Sequence, residues 1–156
     1  MKKGLIYYIK FFLVLAILGM IFALVRLYFF SFTVAKENPE IAYMRVPVYL
    51  LFIGIIGSPI SACFFGYCAL HAYSSGKLFR NKTAKALKYS GHSFLVGVFF
   101  LILLIIYTVL NVPGSITNIH AIGGIIIYLL AVGIFYLLSD VISQGMVLQE
   151  DQDLTI

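Results

Sequence analysis

The stretch Asn111–Asn118, "NVPGSITN", decides how often this chain crosses a membrane. It lies inside Tyr89–Ser139, a run of 51 residues without Asp, Glu, Lys or Arg. At 1.5 Å per residue, one helix of that length would extend about 76 Å, far beyond the ~30 Å hydrocarbon core of a bilayer. Pro113-Gly114 is a turn signal, and the Asn, Ser and Thr residues around it strengthen the signal. The stretch therefore divides the run into two crossings.

Working outward, Phe11–Ala35 holds one charge, Arg26, and Val46–Gly76 holds none. About 20 apolar residues span a bilayer as a helix. The pattern predicts an all-α, four-helix transmembrane bundle. Its helices fall near 8–31, 46–73, 88–111 and 119–144, in a single domain over 1–156 with an acidic tail over 145–156. Composition agrees. The chain is 62% hydrophobic and 11% charged, whereas a soluble domain is about 25% charged. So few charges do not cover a soluble surface, which excludes that class. The first residues, "MKKGLIYYIKFFLVLAILGM", have the basic start of a signal peptide. They lack a small-residue cleavage site, and an uncleaved first span is expected.

Lys2, Lys3 and Lys10 precede the first span, and Lys77, Arg80, Lys82, Lys85 and Lys88 lie between the second and third. The opposite side has Lys36 and Arg45. The positive-inside rule makes the richer side cytoplasmic, with both termini there and the protein a multi-pass component of its membrane. Topology thus accounts for the net charge of +5, and direct nucleic-acid binding is not expected.

Lipid tails are as apolar as Leu, so close backbone packing, permitted by small residues, holds such helices together. Gly54, Ser58, Ala62 and Gly66 recur every four residues in the second span, flanked by Gly57 and Ser61. They are expected to form a packing ridge of the right-handed type. Pro59 removes a backbone donor and is expected to kink that helix.

Few residues suggest chemistry. Cys63 and Cys68 point about 140° apart on one helix and cannot form a disulfide. His71 and His92 fall near the same boundary without carboxylate or thiol companions at ligand spacing. No metal, haem or other cofactor is expected, and no catalytic residue is assigned. Arg26 lies toward the outer end of its span, where its stem can snorkel to the headgroups.

The other informative stretch is Glu37–Val48, "ENPEIAYMRVPV". Asn38 suits a helix cap, Pro39 a first helical position, and Glu40 the positive end of a helix. Val46 precedes a proline, so a short outer helix and a bend near Pro47 are expected. Tyr43 and Arg45 should lie at the outer interface. Arg26 or Arg45 is expected within ion-pair range of Glu37 or Glu40, making these five residues a candidate outer-loop site.

Three stretches carry a resemblance: "NPEIAYMRVPV", "LFRNKTAKALK" at 78–88, and the closing "QEDQDLTI". Together they resemble a family of small bacterial membrane proteins, Domain of Unknown Function twenty-nine seventy-five, over the whole chain. The family often has an acidic residue where this chain has Ser74-Ser75-Gly76, and a helix former where it has Gly145. The resemblance implies a four-span plan and a small helix-turn-helix, DNA-binding regulator encoded nearby. A non-enzymatic sensor or regulator follows as the first reading. Its cytoplasmic partner surface would comprise Arg80, Lys82, Lys85, Lys88, Glu150, Asp151 and Asp153. A latch between the acidic tail and the basic loop would be weak, about 0–1 kcal/mol per exposed pair, and screened beyond about 8 Å. A weak latch suits a displaceable docking site. Leu154 and Ile156, alternating with Thr155, could join a partner's sheet edge. The alternative reading is a small transporter or channel working as a homo-oligomer. It would need polar residues along a path at mid-membrane, and these are sparse.

A fluorescent tag fused to either terminus is expected to report the cytoplasm. An external C-terminus would remove the even number of spans.

Overall fold

The computed structural model describes residues 2–74 and 81–153, with side chains described over 4–72, at 74 and over 81–148. Four helices account for nearly all of it: α1 (Lys2–Glu37), α2 (Arg45–Ser74), α3 (Asn81–Asn111) and α4 (Thr117–Asp153), with a short 3-10 helix, η1 (Pro39–Met44), between α1 and α2. Among the described residues there is no strand. All four helices are long and apolar enough to cross a bilayer. α1, α3 and α4 extend beyond their apolar runs. α1 continues through Lys10 to Lys2 at one end, with Gly4 inside the helix, and through Lys36 at the other, where Pro39 comes only after Glu37. Apolarity marks where the surroundings change, whereas the helix ends where its hydrogen bonds end.

The break at Asn111–Asn118 is the expected turn. Ser115 N–H donates to Val112 O at 3.3 Å, and Gly114 has φ 81°. That left-handed backbone after a proline is the signature of a type II turn and explains the glycine.

Successive helices pack in antiparallel pairs. α3 is central, against α2 on one side and α4 on the other, while α1 touches α2 and η1 only. The α3 seam carries Thr83, Ser90, Gly97 and Leu104, all buried and seven residues apart. Seven residues bring a helix almost back to the same face, so one stripe stays on its neighbour. On α2 the small-residue ridge begins as expected. Gly54 lies under the Phe100 ring, where an added Cβ would come within 2.5 Å, and Ser58 and Ala62 are buried. It then departs. A Cβ on Gly66 would meet nothing within 4 Å, and Ala69 is buried instead. Each four-residue step rotates the ridge by about 40°. By Gly66 the ridge has left the contact, and the seven-residue step from Ala62 to Ala69 restores it.

Pro59 sits inside α2, which runs through it as one helix. Lacking an N–H, it leaves the Ile55 carbonyl without its helical donor. Two hydroxyls replace that donor. Ser58 Oγ and Tyr128 Oη, the latter from α4, each donate to Ile55 O at 2.9 Å. The bridge reaches from α4 to α2 across α3, and it fits because α3 has Gly97 there. A Cβ on Gly97 would collide with both Ser58 Oγ and the Tyr128 ring. Two more hydroxyls stitch the seams: Ser90 Oγ donates to Ala62 O at 3.1 Å and Ser139 Oγ to Ala84 O at 2.8 Å.

Gly97→Ala is expected to lower stability in detergent by about 1–3 kcal/mol, an overpacking cost. Tyr128→Phe should cost about 0.6 kcal/mol, the average for hydrogen bonds between membrane helices, and at most about 1.7 kcal/mol. Gly66→Ala should leave the thermal melt unchanged. Equal melts for the two glycine variants would contradict this packing.

Candidate functional site

The site forms where α1 ends and α2 begins. Asn38 leaves helical geometry (φ −129°, ψ 78°). Its backbone N–H and its Nδ2 both donate to Val34 O, at 2.9 and 3.2 Å. The side chain thus closes α1 and does not cap the next helix, contrary to the sequence expectation. Pro39 opens η1, where a missing N–H costs nothing. The bend expected near Pro47 falls at Asn38 instead. Arg45 is already helical (φ −52°, ψ −52°), and Pro47 lies in the first turn of α2, where no backbone donor is needed.

Arg45 is half-buried against α1. Its Nε donates to Ser31 Oγ at 3.2 Å, and its guanidinium carbon lies 3.2 Å from the centre of the Phe32 ring and 5.6 Å from that of Tyr28. Among the described residues, neither Arg45 nor Arg26 pairs with Glu37 or Glu40, and both glutamates are exposed. The expected ion pair is therefore corrected to a cation–π contact. The antiparallel hairpin puts Ser31 and Phe32 opposite Arg45. A planar, weakly hydrated guanidinium gains up to about 2 kcal/mol on a desolvated ring face, whereas an exposed ion pair contributes about 0–1 kcal/mol. Arg26 is exposed on α1 and is not drawn into the site. Tyr43 is: its hydroxyl donates to Asn111 Oδ1 at 3.0 Å, tying η1 to the end of α3.

Because α1 meets α2 but not α3, a crevice of about 370 Å³ remains between them with α2 as its floor. Ligand pockets typically run from about 300 to 1,000 Å³. Leu27, Val34 and Leu104 form its walls, Val48 and Phe52 its floor, and Ile41, Met44 and Arg45 lie at its η1 end. Its other polar groups are already engaged. Thr108 Oγ1 donates to Leu104 O at 2.7 Å, Tyr49 Oη to Leu24 O at 3.5 Å and Ser31 Oγ to Tyr28 O at 2.6 Å. Among the described lining residues, Arg45 alone is charged.

The opposite end offers less. Lys82, Lys85 and Lys88 are exposed on the first turns of α3. Arg80, Lys77 and Leu154–Ile156 lie outside the described residues, as do the side chains of Glu150, Asp151 and Asp153. The backbone continues α4 through Gly145 to Asp153. His92 Nδ1 lies 2.8 Å from Lys88 O and 3.3 Å from Tyr136 Oη, so it turns toward α4. His120 Nδ1 is 3.0 Å from Ile116 O. Cys63 and Cys68 are free thiols. Among the described residues, no group of three or more His, Cys, Asp or Glu is placed to hold a metal.

Ser31, Phe32 and Asn111 were not legible as site residues. The available signal was register: counted outward from Asn38, Phe32 and Arg45 lie at nearly equal distances along the two arms of a hairpin.

Four long apolar helices define a multi-pass membrane protein. The chain belongs to the family described as protein of unknown function (DUF2975), whose model matches residues 30–156. The match takes in η1, the floor of the crevice and every helix after it; the greater part of α1 lies outside it, so it is shorter than the whole-chain resemblance. No curated protein and no solved structure matches the chain.

A double-mutant cycle between Arg45→Gln and Phe32→Leu is expected to give a coupling energy of about 0.5–2 kcal/mol in detergent unfolding. Additive effects would mean that the two side chains are only neighbours.

Proposed function

We propose that this protein is a non-enzymatic membrane sensor or regulator in a bacterial cytoplasmic membrane, with both termini in the cytoplasm. The crevice under η1 receives the signal on the outer side. The basic start of α3, with Arg80 and the acidic residues Glu150, Asp151 and Asp153, holds a small cytoplasmic DNA-binding regulator. The observation that carries the reading is Arg45, a half-buried cation at the end of an apolar crevice, positioned by a ring and a hydroxyl and, among the described residues, by no carboxylate. Such a group is a standing receptor for an anionic or polarised ligand. The partner rests on the family resemblance and on the charges clustered at the opposite end.

The transporter or channel reading has less support. It needs polar groups lining a path at mid-membrane. The hydroxyls of Ser58, Tyr128 and Ser90 all donate to backbone carbonyls within or between helices.

A pull-down from native membranes is expected to recover the regulator at a stoichiometric ratio. Deleting Glu150–Ile156 should release it to the soluble fraction while the four spans stay inserted. A regulator that stays membrane-bound after the deletion, or none recovered at all, would remove this role.

A further inference from the structure

We propose that the crevice between α1 and α3 binds one anionic glycerophospholipid of the surrounding bilayer, with an acyl chain along the slot and the phosphate on Arg45. The proposal rests on the reading of this crevice as the receiving site, and it names the class of ligand.

The shape of the slot points to a chain. From Arg45 to Phe52 on the floor and from Val112 to Leu104 on α3, its lining runs about 10–12 Å along the helices. Its deep lining is Leu27, Val48, Phe52 and Leu104. Since α1 and α3 do not meet, the slot opens sideways, into the plane where acyl chains lie. A helix from a second copy is a poor occupant. Crossing the core takes about 30 Å, and this slot is closed after about a third of that length by η1 and the α3–α4 turn, through Ile41, Met44 and Ser115.

The charge points to the headgroup. Among the described residues, only Ser31 takes a hydrogen bond from the Arg45 guanidinium, through Nε. The terminal nitrogens are the edge that a phosphate accepts from in a forked, bidentate contact. Stacking on Phe32 fixes the plane of the group. Glu37 and Glu40 are exposed and do not compensate the charge. Arg45 also lies at the start of α2, two residues beyond the exposed Tyr43 of η1, which is where headgroups meet the protein. An apolar slot ending in an unneutralised cation at the membrane boundary matches a phospholipid in both parts. The bilayer supplies such lipids at the slot's open side.

The full chain, purified in neutral detergent and stripped of lipid, is titrated with phosphatidylglycerol or phosphatidylcholine of the same chain length and read by native mass spectrometry. One phosphatidylglycerol per chain is expected, bound in preference to phosphatidylcholine. Arg45→Gln should reduce that preference about fivefold, the size expected of one basic residue at an anionic surface. Ala35→Phe, which fills the slot but keeps Arg45, should weaken both lipids alike. A photoreactive group on the acyl chain of phosphatidylglycerol, used with the unaltered protein, should crosslink to crevice residues such as Val48 rather than to the outer face of α4. Equal binding of the two lipids, a preference unchanged in Arg45→Gln, labelling spread evenly over all helices, a retained free fatty acid, or a dimer seated in the slot would each overturn the proposal. The regulator's membrane association is scored separately. Lipid preference without any tethered regulator sinks the sensor reading alone. Regulator release that depends on Arg45, without lipid preference, sinks the lipid proposal alone.

Discussion

The Ile55 carbonyl is the constraint on which the helix arrangement depends. In a bilayer core no water is present to satisfy a freed backbone acceptor, and leaving one bare costs several kcal/mol. Pro59 creates that acceptor in the middle of α2. Ser58 answers it locally, and Tyr128 answers it from α4. The second answer fixes more than one hydrogen bond. It sets the depth of α4 relative to α2, although α3 lies between them. It also requires that α3 present no side chain at Gly97. Pro59, Gly97 and Tyr128 are therefore one device distributed over three helices, and a change in any of them alters the geometry of the other two.

α1 is attached by different means. Its seam with α2 has no small-residue ridge. It is held by rings and long polar side chains: Lys10 near Tyr67 and Ser74 at one end, Tyr28 against Tyr49 along the seam, and Arg45 on Phe32 and Ser31 at the other end. Bulky side chains keep backbones apart, and a helix held on one flank leaves a gap beside its neighbour's neighbour. The crevice follows from that mode of attachment. The site and the loose helix are two views of the same packing choice.

Much of the architecture was legible because hydropathy reports the solvent of each segment. The four crossings, the Pro113-Gly114 turn and the start of the α2 ridge follow from residue types alone. The helix ends did not, since Lys10 and Lys36 leave the apolar core without leaving the helix. The α3 seam was hidden for another reason. Thr83, Ser90, Gly97 and Leu104 share no property except their spacing, and in a bilayer the outward faces are as apolar as the inward ones. Within the site, charge guided the eye to Glu37 and Glu40 as partners of Arg45. The partner turned out to be Phe32, one of many aromatic residues in the chain, with nothing in its own identity to mark it.

That each helix packs chiefly on the one before it has a consequence for how the protein is made. Every helix–helix seam joins neighbours in chain order, so structure can form as synthesis proceeds. α1 and α2 can pair before α3 exists, and α3 can dock on α2 before α4 exists. Two tyrosines reach past a neighbour: Tyr43 of η1 to Asn111 at the end of α3, and Tyr128, 73 residues back to Ile55. Until α4 arrives, Ser58 is the one replacement donor for that carbonyl among the segments already in place. The last helix thus completes a bond left open since the second, and its insertion ties α2 to α4 across α3.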